Sequence, residues 1–94
     1  MKLTLLATAL AAFTAGAIAD NCVPGLFYCG STLVGKGNYQ GQIDQAIHDA
    51  GQPEIDNGAN DLFYCVGGDS GVIDWQRLCT SGCIDAGAGN SDHC

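Results

Sequence analysis

The chain has 94 residues, with ten acidic side chains against three basic ones, and its formal net charge is −7 at pH 7. A chain of this length forms one domain at most, and we expect a monomer. Because an acidic surface repels phosphate backbones and anionic lipid headgroups, we expect no nucleic-acid partner and no membrane insertion.

Residues 1–19 have the three parts of a secretory signal peptide. Lys2 supplies the positive charge, Leu3 to Phe13 form the apolar core, and Ala17 and Ala19 are the small residues that precede a cleavage site. The apolar core is shorter than the ~20 residues that a membrane span needs. We therefore predict export to the extracellular space and a mature domain of residues 20–94, which loses Lys2 and carries a charge of about −8.

All six cysteines lie in the predicted mature chain: Cys22, Cys29, Cys65, Cys79, Cys83 and Cys94. An even number in a short exported chain predicts three disulfides, whose pairing the sequence leaves open. Three bridges at about 2–4 kcal/mol each would match the whole net stability of an ordinary small domain. The alternative is a zinc site, which the compartment and the spacing disfavour. Its ligands would be Cys79, Cys83, His93 and Cys94.

The first apolar run of the mature chain extends from Leu26 to Val34. It suits either a short strand near residues 26–29 or a single helical turn. Gly35 and Gly37 are expected to end it.

A helix is predicted over residues 39–50, because apolar side chains recur there at helical spacing. These side chains are Tyr39, Ile43, Ala46, Ile47 and Ala50. Asn38 is a candidate N-cap, and Gly51 is a candidate left-handed residue just after the helix.

Two runs rich in β-forming residues, 62–66 and 72–78, flank a glycine-rich turn from Gly67 to Gly71 and predict a β-hairpin. The favoured register turns one apolar set toward the helix: Phe63, Cys65, Ile73, Trp75 and Cys79. The expected fold class is therefore α+β, with one helix packed on a hairpin. Cysteines are expected to hold the glycine-rich tail, residues 80–94.

One short sequence occurs twice. Leu26-Phe27-Tyr28-Cys29 recurs as Leu62-Phe63-Tyr64-Cys65. The two copies could form a duplicated binding edge, but we favour two buried segments that pack aromatic side chains around disulfides. Two copies are too few for a solenoid.

Residues 68–71 match the Gly-Asp-Ser-Gly nucleophile segment of chymotrypsin-like serine proteases. That mechanism also needs a histidine base and a buried aspartate on a much larger scaffold. His48, the histidine outside the tail, lies on the polar side of the predicted helix. We therefore interpret residues 68–71 as a turn and expect a non-enzymatic protein without catalytic residues or cofactors.

The tail offers one alternative that involves a metal. Asp85, Asn90 and Asp92 are oxygen ligands spaced by glycines, as in calcium loops, but the EF-hand pattern is not met. A solvated loop held by disulfides explains the same composition. We expect no bound metal, and calcium at residues 85–92 remains open.

The acidic loops and the single tryptophan form the predicted binding surface, which comprises Glu54, Asp56, Asp69, Ser70 and Trp75. A basic protein or a cell-wall carbohydrate would be the partner. A tryptophan can supply an aromatic platform for either, although a lone one is more often part of the core.

Several short motifs and the cysteine spacing resemble a known group of proteins. The motifs are residues 24–30, 37–39 and 62–65, together with the ending from Cys79 through Gly82-Cys83 and residues 89–92 to Cys94. They resemble a family of small cysteine-rich secreted proteins of filamentous ascomycete fungi. Members of that family are treated as effector candidates in virulence and have no established biochemical activity.

The resemblance implies a secreted effector that binds an extracellular or cell-surface component of a host, and it assigns no residue a role. Two alternatives remain. One is a killer-toxin-like antimicrobial protein, and the other is a small enzyme inhibitor that presents residues 66–72 as a rigid loop.

Overall fold

The computed structural model describes residues 21–94, and the predicted signal peptide lies outside them. The elements in chain order are β1 (Phe27–Cys29), α1 (Gly30–Lys36), α2 (Gln40–Asp49), a 3-10 turn (Asp56–Gly58), β2 (Asp61–Gly67) and β3 (Val72–Leu78). The strands form one antiparallel sheet in the order β1-β2-β3, and the helices pack on it. The predicted α+β class and its disulfide-stapled hairpin and helix are confirmed.

The run from Leu26 to Val34 forms both of the structures that its sequence suggested, a strand followed directly by a helix. Gly35 does not end this run, because it lies inside α1. The helix ends at Gly37, whose N–H donates to the carbonyl of Leu33. An added Cβ at Gly35 would meet no atom within 4 Å, so the helix passes through this glycine without a steric need for it.

Helix α2 is one residue shorter at each end than predicted. Tyr39, instead of Asn38, occupies the N-cap position. The predicted left-handed residue after the helix is confirmed, because Gly51 has φ +70° and its N–H donates to the carbonyl of His48. Gln52 N–H donates to the carbonyl of Ile47, which completes a Schellman motif. Ile43 and Ile47 of the apolar stripe are buried on the sheet.

The two Leu-Phe-Tyr-Cys segments pair with each other. Phe27 lies opposite Tyr64, and Tyr28 lies opposite Phe63. Since side chains alternate across a strand, each copy sends one aromatic ring to each face. Tyr28 and Phe63 are buried in the core, whereas Phe27 and Tyr64 meet edge-to-face on the other side of the sheet, 5.2 Å apart. The buried-framework interpretation therefore holds for one ring of each copy, and the other ring is half-buried.

Three disulfides join the chain, and the described residues contain no free cysteine. The pairs are Cys22–Cys65, Cys29–Cys83 and Cys79–Cys94. The first lies in the core, next to Phe63 and Ile73. The other two hold the tail, which also runs along the outer edge of β1, where Asp92 N–H donates to the carbonyl of Phe27 at 2.8 Å.

The hairpin has the favoured register, with Phe63 opposite Trp75 and Cys65 opposite Ile73. The pairing shifts by one residue between Leu62 and Phe63, where Gln76 is the extra residue of β3, and again near the turn. Such bulges increase the local twist of an edge strand. Ile73 is buried and its neighbour Val72 is exposed, as the alternation of side chains along a strand requires.

The chain just before β2 packs closely against both helices, α1 and α2. Asp56, Asn57 and Gly58 all have positive φ, and the first two are residue types that tolerate this region best. A Cβ at Gly58 would lie 2.6 Å from Ile43 Cγ2 and 2.8 Å from Ile47 Cδ1. Gly30 of α1 has no room for a Cβ either, because the Gly58 carbonyl occupies that space.

We predict that Gly58→Ala destabilises the oxidised domain by about 1–3 kcal/mol, because the methyl group overpacks the helix contact and the residue must keep a positive φ. Gly41→Ala is the matched control, since a Cβ there meets nothing within 4 Å. It should raise the stability by up to ~1 kcal/mol through helix propensity. Urea unfolding measures both, and equal effects would contradict the packing described here.

Candidate functional site

The predicted surface residues all lie around α2, although they come from two other segments. The loop with Glu54 and Asp56 lies along one flank of the helix, and the hairpin with Asp69, Ser70 and Trp75 lies along the other. The exposed carboxylates here form what we call the acidic face, which comprises Asp44, Asp49, Glu54, Asp56 and Asp69.

On the loop flank, Gln40 and Asp44 of α2 tie the helix to the neighbouring chain. The Gln40 Nε2 group donates to Asp44 Oδ1 at 2.8 Å and to the carbonyl of Asn57 at 2.9 Å. Asp44 also shares a hydrogen bond with Glu54, which raises the pKa of Glu54 and lowers the pKa of Asp44. The two carboxyl groups therefore form a pair that holds a proton more readily than a lone glutamate does.

On the hairpin flank, the turn is held from two sides. Gln42 Nε2 donates to the carbonyls of Ser70 and Gly71, both at 2.8 Å, and Asn21 Nδ2 donates to the carbonyl of Asp69 at 3.2 Å. The Asp69 and Ser70 side chains are exposed on this fixed backbone. Residues 68–71 thus form the turn that the sequence predicts.

Trp75 is partly buried, packs against the core and also lines a shallow depression of about 380 Å³ between α2 and β3. Its indole Nε1–H donates to Asp61 Oδ2 at 2.9 Å, which fixes the orientation of the ring. Asp49 lines the same depression. An aromatic ring beside a carboxylate can accept a lysine or arginine side chain through cation–π and ionic attraction.

Asp61 is the unexpected member of this region, because it is only 2% exposed. Burial raises the pKa of its carboxyl, and the hydrogen bond from Trp75 opposes that change. The sequence contains no signal for this role beyond the position of Asp61 at the start of a strand. Asp44 and Asp49 lie on the polar side of the predicted helix, and their neighbours are set by tertiary packing.

The tail loop is organised by its own carboxylates. Asp92 is buried, and its Oδ1 and Oδ2 accept the N–H groups of Ala86 and Cys29 at 2.8 and 2.9 Å. Asp85 Oδ1 accepts the N–H of Gly87 at 2.9 Å. Within residues 21–94, no three histidine, cysteine, aspartate or glutamate side chains are grouped as metal ligands. The aspartates of the calcium hypothesis thus hold backbone amides.

No helix in the described part of the chain has the length and apolarity that crossing a membrane requires.

We predict that the emission of Trp75, the single tryptophan of the chain, titrates with Asp61 at a midpoint above the ordinary aspartate pKa. A raised acid pKa means that the stabilising contribution is complete below the unfolded-state pKa and is lost as pH rises through the folded-state pKa. Asp61→Asn keeps an acceptor for the indole but does not ionise.

The stability of Asp61→Asn relative to the parent should therefore increase from low to neutral pH, and the fluorescence transition should disappear. Asp61→Ala is the control that leaves the indole N–H without its partner, and it should be destabilised at every pH by about 1–3 kcal/mol. An unchanged transition in Asp61→Asn would show that another group controls the emission.

Comparison with protein-family models, curated proteins and solved structures finds no match to this chain. The kinship indicated by the cysteine spacing and short motifs therefore stays a prediction.

Proposed function

We propose that this protein is a secreted, non-enzymatic binding protein, of the kind described as an effector, which contacts an extracellular or cell-surface component of a host. The observation that carries the proposal is the acidic face around α2. It presents five exposed carboxylates on a scaffold whose strands, turn and tail are joined by disulfides and side-chain hydrogen bonds.

The charge distribution supports a basic protein as the partner. Neither of the two cations of the predicted mature chain lies on α2 or in the loop and turn that carry the acidic face. Lys36 is at the end of α1, and Arg77 lies opposite Leu62 in the sheet. A face of one sign attracts a surface of the opposite sign and speeds association, and salt weakens this attraction.

The rigid backbone supports binding as the activity. Ordering a loop or side chain on association costs about 0.5–1.5 kcal/mol per immobilised side chain, and a braced surface avoids part of this cost. Gln40 and Gln42 hold the loop and the turn against α2 in the free protein. Three disulfides in a small domain also suit an oxidising, extracellular setting.

The hydrogen bonds from Gln42 that hold the turn also support the enzyme-inhibitor alternative, because an inhibitor presents a rigid exposed loop. Nanomolar inhibition in a panel of secreted proteases, lost when Gln42→Ala frees the turn, would favour it. Growth inhibition of competing microbes by the purified protein would favour the killer-toxin-like alternative.

We predict that the oxidised domain captures a basic protein from host apoplastic or membrane extracts, and that the double variant Asp44→Asn/Glu54→Gln captures at least several-fold less. The matched control compares two single changes, Asp44→Asn on the acidic face and Asp85→Asn in the tail, which remove the same charge. Equal loss in these two variants would mean that only the net charge matters, and no capture would contradict the proposal.

We also predict a proton linkage. A cation favours the ionised form of Glu54, so binding should release a proton in mildly acidic buffer, and the affinity should fall as pH drops through the raised pKa of Glu54. Calorimetry with the captured partner in two buffers of different ionisation enthalpy measures the release. Asp44→Asn removes the group that raises the pKa, so its proton release should be smaller. Identical heats in both buffers would exclude Glu54 from the interface.

A further inference from the structure

A second concave surface lies between α1 and the tail loop. This groove has a volume of about 460 Å³, within the range of about 300–1,000 Å³ that small-molecule sites occupy. Its polar lining includes Ser31, Thr32, Lys36, Asp85 and Asn90. None of these residues belongs to the acidic face.

Both walls of the groove are fixed. On the helix side, Thr32, Gly35 and Lys36 are spaced so that they share one face of α1. On the tail side, the Cys29–Cys83 disulfide and the two amide hydrogen bonds of Asp92 hold the loop against β1. A ligand would therefore meet a groove that needs little ordering.

The groove carries groups of both charges and both hydrogen-bonding types. The Lys36 ammonium lies over the Tyr28 ring, with Nζ 5.6 Å from the ring centroid. Asp85 is exposed on the opposite wall, and the Asn90 side chain is fixed by its donation to the carbonyl of Ala86 at 3.2 Å. The Val23 and Ala88 side chains supply apolar surface between them.

Thr32 also lines the groove, but its hydroxyl oxygen is buried and is not accessible to a ligand there. The polar groups that a ligand can reach on the helix wall are therefore the Ser31 hydroxyl and the Lys36 ammonium.

We propose that this groove binds a short neutral saccharide. Sugar hydroxyls donate and accept, so they match a lining with an ammonium and a hydroxyl on the helix wall and a carboxylate and an amide on the tail wall. The C–H faces of a sugar match the apolar surface. A strong anion is disfavoured by the net negative charge of the chain, and a cation is disfavoured by Lys36. The site is separate from the acidic face and does not depend on a basic partner.

The test follows backbone amide signals by NMR while neutral disaccharides are added separately to the oxidised domain: cellobiose, xylobiose, mannobiose and diacetylchitobiose. We expect saturable shifts for at least one of them at residues 31–36 and 85–90, with a dissociation constant of about 1 mM or tighter. A digalacturonate probe should bind more weakly because it is charged. The absence of saturable shifts with every neutral disaccharide would overturn the proposal, as would shifts confined to the acidic face.

A larger side chain at Gly35 should block the groove directly. An added side chain there meets no atom within 4 Å and grows into the groove that Gly35 lines. Gly35→Leu should weaken saccharide binding by about tenfold or more, a loss of ~1.4 kcal/mol. Gly41→Leu makes the same change in α2, where a Cβ also meets nothing, and should leave the affinity within about twofold. Equal effects of the two changes would refute the groove as the site.

Ser31→Ala tests one polar contact of the groove. Ser31 is exposed, so the free domain should keep its stability, and saccharide binding should weaken by about two- to tenfold through one lost hydrogen bond. Unchanged affinity would remove Ser31 from the site. The variant Asp44→Asn/Glu54→Gln should bind the saccharide normally, so failure of this proposal and failure of the acidic face are distinguishable.

Discussion

The antiparallel pairing of the two Leu-Phe-Tyr-Cys segments is the constraint on which the rest of the structure depends. It places Tyr28 and Phe63 side by side in the core, and it directs Cys65 into the core and Cys29 toward the tail. Cys65 forms a disulfide with Cys22 in the N-terminal segment, and Cys29 forms a disulfide with Cys83 in the tail. One short strand pair thus fixes both ends of the described chain.

This arrangement explains how so small a domain keeps two surfaces in place. Its core contains few large side chains, so the chain entropy removed by disulfides is a major part of its stability. Bridges that span 43 and 54 residues restrain more of the unfolded chain than a short loop would. The acidic face lies on the α2 side of this frame, and the groove proposed to bind a saccharide lies where α1 meets the tail.

The sequence predicts the parts whose signals are local. The apolar periodicity of residues 39–50, followed by Gly51, predicts α2. The turn between two β-rich runs predicts the hairpin and its register. It does not predict contacts between distant segments. Pairing of residues 27–29 with 62–64, the disulfide partners, and the approach of the tail to α1 all depend on tertiary packing. Gly35 was expected to end an element because glycine is a weak helix former, but packing overrides this small cost.

The same distinction holds for the candidate sites. Glu54, Asp56 and Asp69 are recognisable in the sequence as acidic loop residues, whereas the Asp44–Glu54 pair and the Trp75–Asp61 hydrogen bond depend on the fold.

The central claim is that the two repeated segments are paired and that their cysteines form disulfides on opposite sides of the sheet. Mass spectrometry of unreduced peptides tests it most directly. The account predicts the pairs Cys22–Cys65, Cys29–Cys83 and Cys79–Cys94. Any other pairing, or a free thiol in the oxidised protein, would contradict it.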